Sequence, residues 1–222
     1  QQIVALSFGN NCRDTHPKQR ELTIAAFVQE LATPDTTRGT LPIEQYLALN
    51  KKVPAQKKIR DAEKDGHYFS TATFRNGGIR QATDVVSLSG FAGDLDNETL
   101  SKADIEARLE GTFFIAYSSY SHSVGGPKWR FFLPYQAPIT PSEHAKVYAH
   151  FQARFDNQLD THCGTTAQLW YTPACPPDAA EHYQFFIGPG ALLEVATITE
   201  QAAKPLKTAA PKPRNITANE HV

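Results

Sequence analysis

Apolar residues change period along this chain, and each change marks an element. Ile3-Val4-Ala5-Leu6-Ser7-Phe8 and Tyr68-Phe69-Ser70-Thr71-Ala72-Thr73-Phe74 read as strands. Between Gln19 and Leu31 the apolar positions Leu22, Ala25, Ala26, Val28 and Leu31 follow a partly helical spacing, and Ile43 to Leu49 fits a short helix. The basic stretch Lys51-Lys52-Val53-Pro54-Ala55-Gln56-Lys57-Lys58-Ile59-Arg60 reads as a solvated loop, with a contact for phosphates as the alternative. Arg75-Asn76-Gly77-Gly78 is a hairpin signal, and Val85 to Asp96 is the central strand region. Ser101 with Asp104 opens a helix through Leu109, which Gly111 ends. Thr112 to Ser119 is a strong strand, turned by Val124-Gly125-Gly126-Pro127 into the returning Lys128 to Leu133. Strand alternation puts Lys128, Arg130 and Phe132 on one face and Trp129, Phe131 and Leu133 on the other. Thr140-Pro141-Ser142-Glu143 starts a helix that runs to about Phe155 or Leu159. Gln168 to Tyr171 and His182 to Ile187 are the last strand candidates, separated by Pro173 and Pro176-Pro177. This order has no strict βαβ rhythm, so the expected class is α+β, with a mixed or antiparallel central sheet and helices on one side. Residues 1–200 read as one folded domain, and residues 201–222 as a Lys/Pro/Ala-rich linker or tail.

Composition narrows the function. Of 222 residues, 41% are hydrophobic and 20% charged, and the formal net charge is −1. A globally basic nucleic-acid coat is therefore excluded, although a local basic groove is not. No apolar run reaches membrane-spanning length, and no basic-then-apolar signal opens the chain. Three cysteines, Cys12, Cys163 and Cys175, form a sparse and odd set that suits a reducing cytoplasm. Neither a phosphate-binding Gly-x-x-x-x-Gly-Lys-Ser/Thr loop nor a Gly-x-Gly-x-x-Gly fingerprint is present.

The candidate chemistry begins at Gly93-Asp94-Leu95-Asp96. On a strand, Asp94 and Asp96 share a face, with Cβ atoms roughly 6.5–7 Å apart. A hard divalent cation can bridge that span through carboxylate oxygens, and it would relieve the repulsion between them. A solvated turn through Asp96-Asn97-Glu98 is the alternative. Downstream, Tyr117-Ser118-Ser119-Tyr120-Ser121-His122-Ser123 and Lys128-Trp129-Arg130 gather hydroxyls, an imidazole and two cations at one hairpin. Those are the donors that a triphosphate needs. Asp160, ahead of Gln168-Leu169-Trp170-Tyr171-Thr172-Pro173, offers a third carboxylate.

These three stretches, in this order, resemble the motifs of the archaeo-eukaryotic primase superfamily, most nearly the primase-polymerase domains of plasmid, phage and other mobile-element replication proteins. The resemblance runs from about Phe69 to Pro173, with a looser match upstream through Asp65-Gly66-His67-Tyr68-Phe69. It implies a catalytic core with an RRM-like sheet, flanking helices and an N-terminal α/β unit. It also implies template-directed nucleotidyl transfer by a primase or DNA polymerase using Mg²⁺ or Mn²⁺. On this resemblance Asp94, Asp96 and Asp160 hold the metals, and His122, with Ser121 or Ser119, contacts the incoming triphosphate. Arg130, Lys128 and Arg80 are further phosphate contacts. The implied partners are a single-stranded DNA template, nucleoside triphosphates, and a helicase or helical priming domain C-terminal to this chain.

Other readings use the same residues. A metal-dependent nuclease or phosphodiesterase needs the same carboxylates, and a non-catalytic single-strand-binding module needs only the cations. A nicking endonuclease is disfavoured because a His-x-His ligand pair is missing. His162, Cys163, Cys175 and His182 offer zinc ligands, although without Cys-x-x-Cys spacing.

Overall fold

A computed structural model describes residues 2–96, 99–123 and 125–201. Residues 202–222 of the expected tail, the Asn97-Glu98 part of the alternative turn and Val124 lie outside the described residues, while Gln201 is still helical. The class is α+β, as expected, but the strands form two sheets. One has four strands in the order β2-β1-β3-β8: β1 (Ile3–Gly9), β2 (Lys18–Thr23), β3 (Tyr68–Ser70) and β8 (Trp170–Tyr171). The other has five, in the order β4-β5-β7-β6-β9: β4 (Ala72–Phe74), β5 (Val85–Leu95), β6 (Phe114–Ser118), β7 (Trp129–Ile139) and β9 (Phe185–Gly188). Every pairing between these strands is antiparallel.

The second sheet arises because the run Tyr68 to Phe74 is not one strand. It breaks at Thr71, so β3 pairs with β1 while β4 pairs with β5. Serines stitch the sheets across the break. Ser7 Oγ donates to the Ala72 carbonyl at 2.8 Å, and Ser89 Oγ accepts the Ala5 N–H at 3.2 Å. Buried hydroxyls thus satisfy backbone groups that neither ladder reaches.

Two sequence expectations shift. The partly helical stretch from Gln19 is strand first, as β2 on the edge of β1, and becomes helix α1 (Ile24–Leu31) only after Thr23, whose Oγ1 caps Ala26 N–H. Helix α2 (Ile43–Ala48) forms as expected. The basic stretch read as a loop is largely helix α3 (Pro54–Lys64). Pro54 suits its first turn, and Asp61 pairs with Lys57 and Lys64 at helical spacing. Its anchor is Arg60, buried over the Tyr46 ring and donating to the carbonyls of Tyr46 and Leu49.

Helices α4 (Lys102–Arg108) and α5 (Pro141–Arg154) open with the capping boxes read from Ser101/Asp104 and Thr140/Glu143. The last helix, α6, spans Val195–Gln201. α5 lies on one face of the five-stranded sheet, where Phe91 stacks on Phe151 at 4.9 Å and Phe131 on Phe155 at 5.0 Å. Gly93 matters to this packing, because a Cβ there would collide with the Phe131 ring. On the opposite face Phe132 meets Phe27 and Phe69, which ties the two sheets together. Asp94 lies near the C-terminal end of β5.

Candidate active site

Asp94 is the last polar side chain within β5, and its register partner on β7 is Arg130. The two side chains meet, with the Asp94 Oδ2 atom 3.4 Å from Arg130 Nε and from Nη2. The other oxygen, Asp94 Oδ1, is buried without a hydrogen-bond partner. Burial pushes the Asp94 carboxyl up to about 6, and the charges of Asp96 and Asp160 add to that rise while Arg130 opposes it. Burial opposes charge on Arg130 too, but Asp94, Tyr117 and Asp96 outweigh it and raise its pKa above the usual arginine value.

The chain brings Asp160 to this place by a sharp reversal. α5 ends at Arg154, and Asp156 and Asn157 adopt left-handed backbone angles, φ 52° and 59°. Gln152 then clamps the returning chain, its side chain bonding to both the N–H and the carbonyl of Leu159. Asp160 N–H donates to the Asp94 carbonyl at 3.0 Å. Cys163 Sγ, on the short 3-10 turn Thr161–Gly164, accepts the Asp94 N–H at 3.3 Å. The Asp160 carboxylate caps that turn through Oδ1, 2.7 Å from His162 N and 2.7 Å from His162 Nδ1. Asp156 points elsewhere, into an ion pair with Arg108 at 2.7 Å.

The hairpin between β6 and β7 carries the expected donors. Ser119, Ser121 and Arg130 line a cavity of about 170 Å³ together with Asp96. His122 is buried behind it, its ring edge on Trp129 at 4.8 Å. The Lys128 N–H donates to His122 Nδ1 at 3.1 Å. The Lys128 carbonyl lies at the same 3.1 Å from Nδ1, so the ring is fastened to the Lys128 backbone in either tautomer. Burial lowers the His122 pKa, which keeps the ring neutral. The Lys128 side chain is itself buried. Arg80 lies apart from these groups, over the Tyr68 ring and bonded to Tyr68 Oη and the Cys12 carbonyl.

Two further groups of cations join the site, one from the basic run and one from a loop that the sequence did not flag. Lys57, Arg60 and Lys64 on α3, with Lys51 just before it, form another wall of the same cavity. Partial burial, with repulsion from Lys128, Arg60 and Lys64, lowers the Lys51 pKa. Positive charge is therefore crowded around Asp96. Arg38 is almost fully buried and donates to Thr172. Its guanidinium and that of Arg130 flank the Tyr171 ring, 6.0 and 5.9 Å from its centroid. The lysines were legible only as a basic run, and Arg38 carried no signal in its loop.

The carboxylates are neighbours but not a finished cage. Among the described residues no group of three or more His, Cys, Asp or Glu side chains is assembled to hold a metal ion. The same finding leaves His162, Cys163, Cys175 and His182 without a zinc cluster. Asp160 Oδ1 is engaged within its own turn.

The model of the VapE N-terminal domain family matches residues 1–203, nearly the whole described chain. The chain belongs to that family. A search of curated proteins found no match. Among solved structures, this VapE N-terminal domain is similar to the AEP domain of the cyanophage S-2L primase-polymerase, with 15% identity and a TM-score of 0.47 over 80% of this chain and 95% of that one. No described helix of the domain is long and apolar enough to cross a membrane. The carboxylate oxygens of Asp94, Asp96 and Asp160, one of them buried and unpartnered on Asp94, are the donor chemistry that fits a hard divalent cation.

Proposed function

We propose that this domain is a template-directed nucleotidyltransferase, a primase or DNA polymerase of a mobile-element replication protein. The observation that carries the reading is the juxtaposition of Asp94, Asp96 and Asp160 with a cation-lined cavity at one end of β5. Asp94, Asp96 and Asp160 would hold Mg²⁺ or Mn²⁺, which when bound stabilises the attacking 3′-oxygen and the leaving pyrophosphate. Arg130, Lys51 and Lys64 would neutralise the triphosphate, and the Ser119 and Ser121 hydroxyls would donate to it. Ser119 Oγ is buried without a partner in this state, which suits a donor awaiting a ligand. His122 fixes the hairpin that presents both serines, through the Lys128 N–H. Lys128 extends the positive field around Lys51, and Arg80 serves the neighbouring fold. The partners are a single-stranded DNA template and nucleoside triphosphates, in a protein that couples this domain to a helicase or helical priming domain.

A nuclease or phosphodiesterase would use the same carboxylates, so the test must separate synthesis from degradation. Labelled nucleotides are supplied with a template, with and without primer, in Mg²⁺ and in Mn²⁺. The expected result is metal-dependent extension that Asp94→Ala plus Asp96→Ala abolishes while the fold persists. Shortening of the primer in place of extension, or full incorporation by the double variant, overturns the assignment.

A further inference from the structure

α3 separates two hollows. Lys51, Lys57 and Asp61 line the cavity beside Asp96, and they also line a larger groove of about 690 Å³ on the other side. Arg13, Lys52 and Lys58 complete the cationic wall of that groove. Its two carboxylates are already engaged. Asp61 pairs with Lys57 and Lys64, and Asp65 accepts from the Cys12 N–H and from Tyr171 Oη. The groove is therefore positive in excess, and it runs into the site through shared residues. No aromatic side chain lines it, the remaining walls being Asn11, Cys12, Pro54 and Ala62.

From this we infer that the α3 groove is a track for the sugar-phosphate backbone of a single polynucleotide strand, leading to the carboxylates at Asp96. The inference rests on the nucleotidyl-transfer reading for the strand's purpose, but not for its binding. Cations without stacking platforms recognise phosphates and not bases. Binding here is thus sequence-tolerant, steeply salt-dependent and indifferent to the loss of bases. The groove beside β1 and β3 is a poorer fit for a backbone. It carries Phe8 and Tyr68 rings, and its cations are matched by Asp14, Glu30 and Asp35, with Arg20 already paired to Glu30.

The test is a fluorescence anisotropy titration without metal or nucleotide. The probes are a labelled oligothymidylate and an abasic oligodeoxynucleotide of equal length. Wild-type protein should bind both with equal affinity. Lys52→Gln plus Lys58→Gln removes two phosphate partners that do not line the nucleotide cavity. The log–log salt slope should become shallower by about 1.4, and affinity should fall about 25-fold at about 0.1 M salt. Lys146→Gln, exposed on α5, should change neither. Unchanged slope and affinity in the double variant, or much weaker binding of the abasic strand, would overturn the track. Calorimetry of nucleoside triphosphate binding with Mn²⁺ separates this from the functional reading. The double variant should keep its nucleotide affinity, whereas an equal loss of both ligands would show a collapsed site and defeat the inference.

Discussion

Asp94 is held charged at a cost, and that cost is measurable. Asp94→Asn replaces the carboxylate with a neutral group of the same shape. The Asp94 side chain is 17% exposed, and its carboxyl sits at about 6 in the folded protein against an ordinary 3.8. A carboxyl with a raised folded pKa adds stability below its unfolded value and loses it as the pH rises through the folded value. The substitution should therefore do little below about pH 4 and become stabilising between about pH 4 and pH 7. The full difference above that window is about 3 kcal/mol. For a domain of this size it corresponds to a melting temperature higher by roughly 6–12 °C. The assay is a thermal melt of both proteins in chelator at about pH 4 and about pH 8. Mg²⁺ or Mn²⁺ added at the higher pH should stabilise the wild type and leave the variant unmoved, because the cation answers the same crowding of charge. A gap between the two proteins that does not change with pH would refute the account of Asp94 as a carboxylate waiting for a cation. So would a variant less stable than wild type at about pH 8, since the Arg130 pair would then outweigh burial.

Two further outcomes follow from the neighbouring residues. Asp160→Asn should lose incorporation by several orders of magnitude across a Mg²⁺ titration, while Asp156→Asn should stay near wild type and lose at most about 1 kcal/mol from the Arg108 pair. Asn is at ease in the left-handed backbone at position 156, so the fold should survive; the opposite pattern would move the third carboxylate to Asp156. His122→Ala removes the buried imidazole that bonds the Lys128 backbone and should cost about 1–3 kcal/mol of stability. Nucleotide binding should weaken with the loosened hairpin while metal affinity measured by calorimetry stays close to normal, and a lost metal affinity would place His122 in the wrong role.

Local rules settled much of this protein in advance. The α+β class follows from the order of periodic segments, and two helix starts were written in the boxes Ser101/Asp104 and Thr140/Glu143, because a cap depends on residues three apart. The shared face of Lys128, Arg130 and Phe132 followed from strand alternation alone, and the ladder places Arg130 opposite Asp94. What tertiary structure decided involved partners distant in sequence. Nothing between Tyr68 and Phe74 announces that the run divides at Thr71; the division depends on which strands, β1 or β5, offer free edges. The lysines of Lys51 to Lys64 look solvated until buried Arg60 anchors their helix beside Asp96. Asp160 could be named by its resemblance to a motif. Its position, by contrast, comes from the reversal at Asp156-Asn157, the Gln152 clamp and a backbone bond to a residue 66 positions away, Asp94. Arg38 was invisible in a polar loop, because only the fold reveals that a guanidinium there is buried against Thr172 and Tyr171. Periodicity fixes which face a side chain takes, but only the packed fold fixes what that face meets.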